Sequence, residues 1–125
     1  MSETNDLRAQ MMAWSQGALA LNIAFIGISN GLFSGLASGP LDLHALAAKT
    51  GVDAGYLRRW LDAAYAFGYL DATGETFALT PLGEAMRPEA PGTLMPFAVQ
   101  AVLGAHMSER AAGLMQTGER PGERV

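Results

Sequence analysis

Between Ser38 and Leu79 the sequence passes through a helical apolar pattern, a Thr50-Gly51 turn, a second helical pattern and a short alternating hairpin. A long helix with a continuous apolar seam precedes this block, and another helix opens at Pro96. These observations predict a mainly α fold: a winged helix-turn-helix with a two-stranded β-wing and additional N- and C-terminal dimerisation helices. The expected divisions are N-terminal dimerisation helices over 1–37, a winged-helix core over 38–87, and a proline-rich joint, linker helix and truncated tail over 88–125.

From Leu7 the residues Leu7, Met11, Trp14, Ala18, Leu21, Phe25, Ile28 and Leu32 recur in alternating steps of four and three, the spacing of one helix with one apolar seam. Its first turns are amphipathic. From Ala18 onward Leu19, Ala20, Ile23, Ala24 and Ile26 make it apolar nearly all round, so it has to be covered on every side. In a chain of 125 residues that excess points to an obligate partner. Gly27, Gly31, Gly35 and Gly39 recur every fourth residue. They form either a ridge on which another backbone approaches closely, a dimer seam, or breaks that divide one helix into two.

Gly39-Pro40 ends this segment, and Asp42 is an N-cap for a helix whose core face is Leu43, Leu46 and Ala47. Lys49 lies in its last turn and Gly51 follows where a positive φ is needed. Asp53 caps a second helix with Leu57, Trp60, Leu61, Ala64 and Tyr65 pointing inward. Gly68 closes it. Tyr69–Ala72 and Thr76–Leu79 are short strands around Thr73-Gly74-Glu75, with Leu70, Phe77 and Leu79 facing the core. Thr80-Pro81 starts a short helix that Arg87-Pro88 stops. After a joint holding Pro88, Pro91 and Pro96, a last helix bears Met95, Val99, Val102, Leu103, His106 and Leu114 on one side. Residues from Thr117 to Val125 are polar and turn-rich, a linker or a loop cut short.

Half the residues are apolar and 16% are charged, which describes a globular chain with one core. The net charge of −4 argues mildly against a nucleic-acid surface. Seven of the eight basic residues are Arg. With no cysteine, disulfides and thiolate metal sites are excluded. The acidic start Met-Ser-Glu-Thr-Asn-Asp lacks the basic region of a signal peptide, and a cytoplasmic location is expected. No charged residue stands between Arg8 and Asp42, yet the most apolar part, Ala18–Ile28, is interrupted by Asn22 and too short to cross a bilayer. A helix buried between subunits is the expected reading, and no membrane is expected as a partner.

Catalytic chemistry is not legible. His44 and His106 are far apart and in no ligand-spaced cluster, so no metal site is expected. No nucleophile motif or spaced carboxylate pair is present, and Gly31–Gly39 lacks the preceding strand of a phosphate loop. No catalytic and no cofactor-binding residue is therefore assigned. DNA contact would fall to Arg58 and Arg59, but Asp53 and Asp62 share their helix, and the wing carries Asp71 and Glu75 with no basic residue. Trp14, Phe25, Met11 and Met12 are candidates for a pocket taking a flat apolar ligand, or else for core and interface. The candidate dimer seam or substrate lid comprises Met11, Trp14, Ala18, Leu21, Phe25, Ile28, Val99, Val102 and Leu103.

One set of fragments carries a family likeness: Asn30 to Ala37, Leu43 to Gly51, Tyr56 to Leu61, Gly68-Tyr69-Leu70, and Phe77-Ala78-Leu79-Thr80-Pro81-Leu82-Gly83. In this order they resemble the N-terminal winged-helix dimerisation domain of S-adenosylmethionine-dependent (O-)methyltransferases. The resemblance spans Gly31 to Gly83. It implies a homodimer with helices of two subunits interlocked, and a domain that helps to cover the site for a small, often aromatic or polyketide-like acceptor. It also implies S-adenosylmethionine in a parent enzyme, bound by a Rossmann-like catalytic half that these 125 residues do not contain. The expected function is thus a non-catalytic dimerisation and lid domain of a methyltransferase. The alternatives are a winged-helix DNA-binding transcription regulator and a free-standing homodimeric module that binds a ligand or a protein.

Overall fold

A computed structural model describes residues 2–120 of the chain. Helix α1 (Glu3–Ser29) is followed by the single turn α2 (Leu32–Gly35), strand β1 (Leu41–Asp42), α3 (Leu43–Thr50) and α4 (Ala54–Ala66). The hairpin β2 (Leu70–Thr73) and β3 (Thr76–Leu79) comes next, then α5 (Pro81–Ala85) and α6 (Met95–Thr117). The mainly α winged helix-turn-helix is the observed architecture. From residue 121 the expected polar tail lies outside the described residues.

The helix-turn-helix is built from local caps. Asp42 accepts a hydrogen bond from the Ala45 amide at 2.7 Å and Asp53 one from the Tyr56 amide at 2.9 Å, each satisfying an orphan donor of a first turn. Gly51 takes φ +78 at the end of α3, the left-handed conformation that frees the chain to turn into α4. Thr80 caps α5 through the Gly83 amide, with Pro81 in the first turn. Lys49 does more than face a helix end. Its ammonium donates to the Gly35 carbonyl at 2.8 Å and to the Ser38 hydroxyl at 3.1 Å, tying α3 to the end of α2.

Three features differ from the sequence reading. The seam from Leu7 to Leu32 is not one helix: α1 ends at Asn30, whose side chain returns to the Ile26 carbonyl, and Gly31 at φ +69 starts α2. Gly31 and Gly39 therefore act as breaks, whereas Gly27 and Gly35 are approached by Trp60, Phe33, Leu46 and Thr50 of the same chain. The wing has a third strand, because Leu41 pairs with Phe77 and Asp42 with Thr76, in the order β1-β3-β2. Asp42 can do both jobs because an N-cap already has extended φ and ψ. Finally, Tyr65 points outward and is 55% exposed. At 100° per residue it lies just beyond the edge of the stripe formed by Leu57, Trp60, Leu61 and Ala64, all of which are buried.

The core gathers Leu32, Phe33 and Leu36 from the α2 region, Leu46 from α3, the α4 stripe, Tyr69 and Leu70 beside the wing, and Met86. Phe33 is its hub, edge-on to Trp60 at 5.4 Å and to Tyr69 at 5.7 Å between ring centroids. Phe77 and Leu79 pack against this cluster from the hairpin, as their alternation requires. Ala24 of α1 and Ala98 of α6 are the fully buried residues through which the two long helices join it.

Candidate functional site: the apolar surface of the two long helices

Helix α1 is fixed along only part of its length. The Trp60 indole N–H donates to the Ile23 carbonyl at 2.9 Å, and the Tyr69 hydroxyl donates to the Ala20 carbonyl at 2.8 Å. Both partners come from the core, and the bare backbone at Gly27 lets the indole lie flush against the helix. Burial pushes the Tyr69 phenol above its usual range, so it stays a neutral donor. Ahead of this anchorage every residue from Glu3 to Leu19 is exposed. Trp14 is 63% exposed, Leu7, Met11 and Met12 are more than half in the open, and Leu19 is 49% exposed. Helix α6 repeats the pattern: Ala98 is buried, Val99, Ala101 and Val102 are half-buried, and Phe97, Leu103, Met107 and Met115 are exposed.

The nine seam residues therefore divide. Leu21, Phe25, Ile28, Val99 and Val102 lie half-buried where the helices meet the core, while Met11, Trp14, Ala18 and Leu103 face outward. His106 is exposed on α6. An apolar surface on this scale is energetically unfavourable in water, at about 25 cal/mol per Å². By length and composition alone α1 is also long and apolar enough to cross a membrane, with a mean hydropathy of 1.4 over its most apolar 18 residues.

Sequence reasoning missed a cleft of about 560 Å³ between the end of α1, the α3–α4 turn and the start of α4. Its apolar walls are Ile26, Leu32, Leu57 and Trp60, and Asn30, Thr50 and Asp53 stand among its polar groups. The lining is scattered over residues 26–60, so no single spacing announces it. Met11 borders a separate hollow of about 380 Å³ with Thr4, Leu7 and Arg8, whereas Trp14 and Phe25 line neither.

Arg58 and Arg59 are exposed on α4, and neither forms an ion pair among the described residues. Arg58 shares a crevice with Asp42, His44 and Glu75, and Arg59 borders a hollow with Asp53 and Tyr56. The ion pairs are elsewhere. Arg87 bridges Glu84 at 2.8 Å and Glu89 at 3.1 Å, and Glu89 accepts from the Ser34 hydroxyl at 3.0 Å. The Glu89 carboxyl is held below its usual range by its own backbone N–H, helped by Ser34 and Arg87. No group of three or more metal-ligating side chains occurs among the described residues.

No protein-family model matches the chain. It is 37% identical over 92 residues to the O-methyltransferase SfmM3 of Streptomyces lavendulae, a match covering 71% of this chain and 27% of that protein. Among solved structures it resembles RosA, the N,N-8-amino-8-demethyl-D-riboflavin dimethyltransferase of Streptomyces davawensis. The TM-score there is 0.62 at 28% identity, over 78% of this chain and 28% of RosA. It also resembles CalO1, a methyltransferase in calicheamicin biosynthesis solved with SAH bound, with a TM-score of 0.68 at 26% identity, over 92% of this chain and 35% of CalO1. The chain is a relative of the S-adenosylmethionine-dependent O-methyltransferases and corresponds to a part of them, resembling their N-terminal winged-helix domain. It spans between 27% and 35% of the length of these three proteins.

Proposed function

We propose that this chain serves as the dimerisation and substrate-lid domain of a cytoplasmic, S-adenosylmethionine-dependent methyltransferase acting on a small, secondary-metabolite-like acceptor. The observation that carries the reading is the apolar surface of α1 and α6, exposed beyond the point where Trp60 and Tyr69 anchor α1. A second copy of the chain covers that surface, and the same helices flank the acceptor. No strand–glycine loop–helix unit occurs among the described residues, and the sheet is antiparallel throughout. In this proposal the nucleoside cofactor binds in the part of the relatives that this chain does not span. In this reading the partner is a second copy of the chain, in place of a membrane or a nucleic acid.

Light scattering on the purified protein tests the proposal. The mass of a dimer is expected, and Trp14→Asp is expected to give a monomer with unchanged circular dichroism, because Trp14 lies outside the core. A dimer of undiminished stability in Trp14→Asp and in the second variant Leu103→Asp overturns the surface. Phe25→Asp, at another position of the seam, is the poorer probe. Phe25 packs against the core, so its replacement unfolds as well as dissociates.

A further inference from the structure

The apolar surface of α1 and α6 is also where this chain keeps its reactive sulfur. There is no cysteine, so the thioethers are the side chains most readily attacked by a mild peroxide. Six of the seven methionines are described, and they fall into two environments. Met86 is 4% exposed in the core and Met95 is half-buried at the start of α6. Met11, Met12, Met107 and Met115 are between 51% and 84% exposed, and all four stand on the two long helices, in company with Trp14, Phe97 and Leu103. The thioether is soft and flexible, which lets such a surface adapt to a partner, and its oxidation product is polar.

We propose that Met11, Met12, Met107 and Met115 form an oxidation-sensitive site that releases the chain from its second copy. This inference rests on the association proposed above. A sulfur lone pair attacks one oxygen of hydrogen peroxide; the S–O bond forms and the O–O bond breaks. The departing hydroxide takes up the proton lost from the transferred oxygen and leaves as water. Sulfur is oxidised by two electrons and the peroxide is reduced. A sulfoxide dipole on the contact face must be desolvated when two copies meet, so association weakens. Because the contact shields the thioethers, the reaction proceeds through the separated chains and holds them apart by mass action.

The test is dilute hydrogen peroxide on the purified protein, read by peptide mass spectrometry and by light scattering. Oxidation of the four exposed methionines is expected to slow as protein concentration rises through the dimer range, with Met86 the slowest at every concentration. The light-scattering mass is expected to fall to that of one chain, and methionine sulfoxide reductase to restore the dimer. The quadruple variant Met11→Leu, Met12→Leu, Met107→Leu, Met115→Leu is expected to stay dimeric in peroxide. If the untreated protein is monomeric, the association reading itself fails. If it is dimeric and keeps its mass with all four sulfoxides formed, or if oxidation is independent of concentration, this inference alone fails.

Discussion

At Gly27 an added Cβ would overlap the Trp60 indole and the Phe33 ring. Alanine normally favours a helix over glycine by about 1 kcal/mol. Here the gain is outweighed, because the indole is held in place by its bond to the Ile23 carbonyl and by the edge-on contact with Phe33. Overpacking a fixed core costs about 1–3 kcal/mol. Gly27→Ala is therefore expected to lower the denaturation midpoint. Gly17→Ala, on the same helix with nothing within 4 Å of the new methyl, is expected to raise it, the propensity gain adding roughly 0.5–1 kcal/mol of stability. Urea denaturation of the two variants checks the pair, and equal effects of one sign would show that α1 is not seated on Trp60.

Helix α6 is aimed by the joint before it, and the joint is held on both sides. Leu94 donates its amide to the Ala85 carbonyl at 2.8 Å, and Glu89 links Ser34 of α2 to Arg87 at the end of α5. Since the folded state lowers the Glu89 pKa, its contribution is fully present above the ordinary glutamate range and is lost as pH falls through the lowered value. Its side chain is 49% exposed, so solvent screening keeps the effect on global stability small. The expected signature is local: faster amide exchange of the joint in Glu89→Gln at neutral pH, matched by the unmodified protein only under acid. Equal exchange in both at every pH would remove the link. How far such elements were legible follows from how local their causes are. Asp42, Asp53, Thr80 and Gly51 announce their turns because each acts within a few residues. Strand β1 was hidden, since two residues after a proline carry no period and only pairing with Phe77 and Thr76 defines them. Tyr65 falls outside the buried stripe because a stripe's edge is decided by what packs beside it. The cleft at the end of α1 needed three elements brought together, and the ending of α1 at Asn30 needed the choice between two meanings of spaced glycines.

On the scale of the whole molecule, two associations compete as readings of this fold, and salt separates them. A winged helix that grips duplex DNA neutralises phosphates, and each contact adds about −0.9 to the slope of log affinity against log salt. This chain has a net charge of −4, exposed Asp71 and Glu75 on its wing, and only Arg58 and Arg59 as cations on α4. Even with both engaged the slope could not much exceed about −2, which is too shallow for a protein held on DNA by its backbone. Burial of the α1 and α6 surface behaves in the opposite way, since sulfate salts strengthen apolar association. The expected outcome is no measurable anisotropy change with labelled duplex at low salt, unaltered in Arg58→Ala/Arg59→Ala, together with a dimer that tightens as ammonium sulfate is added. Duplex binding that fades steeply with salt and vanishes in the double arginine variant would move the function from the long helices to α4. The apolar residues of α1 would then need a different partner, because a DNA-bound wing leaves Trp14 and Phe97 as open as they are now.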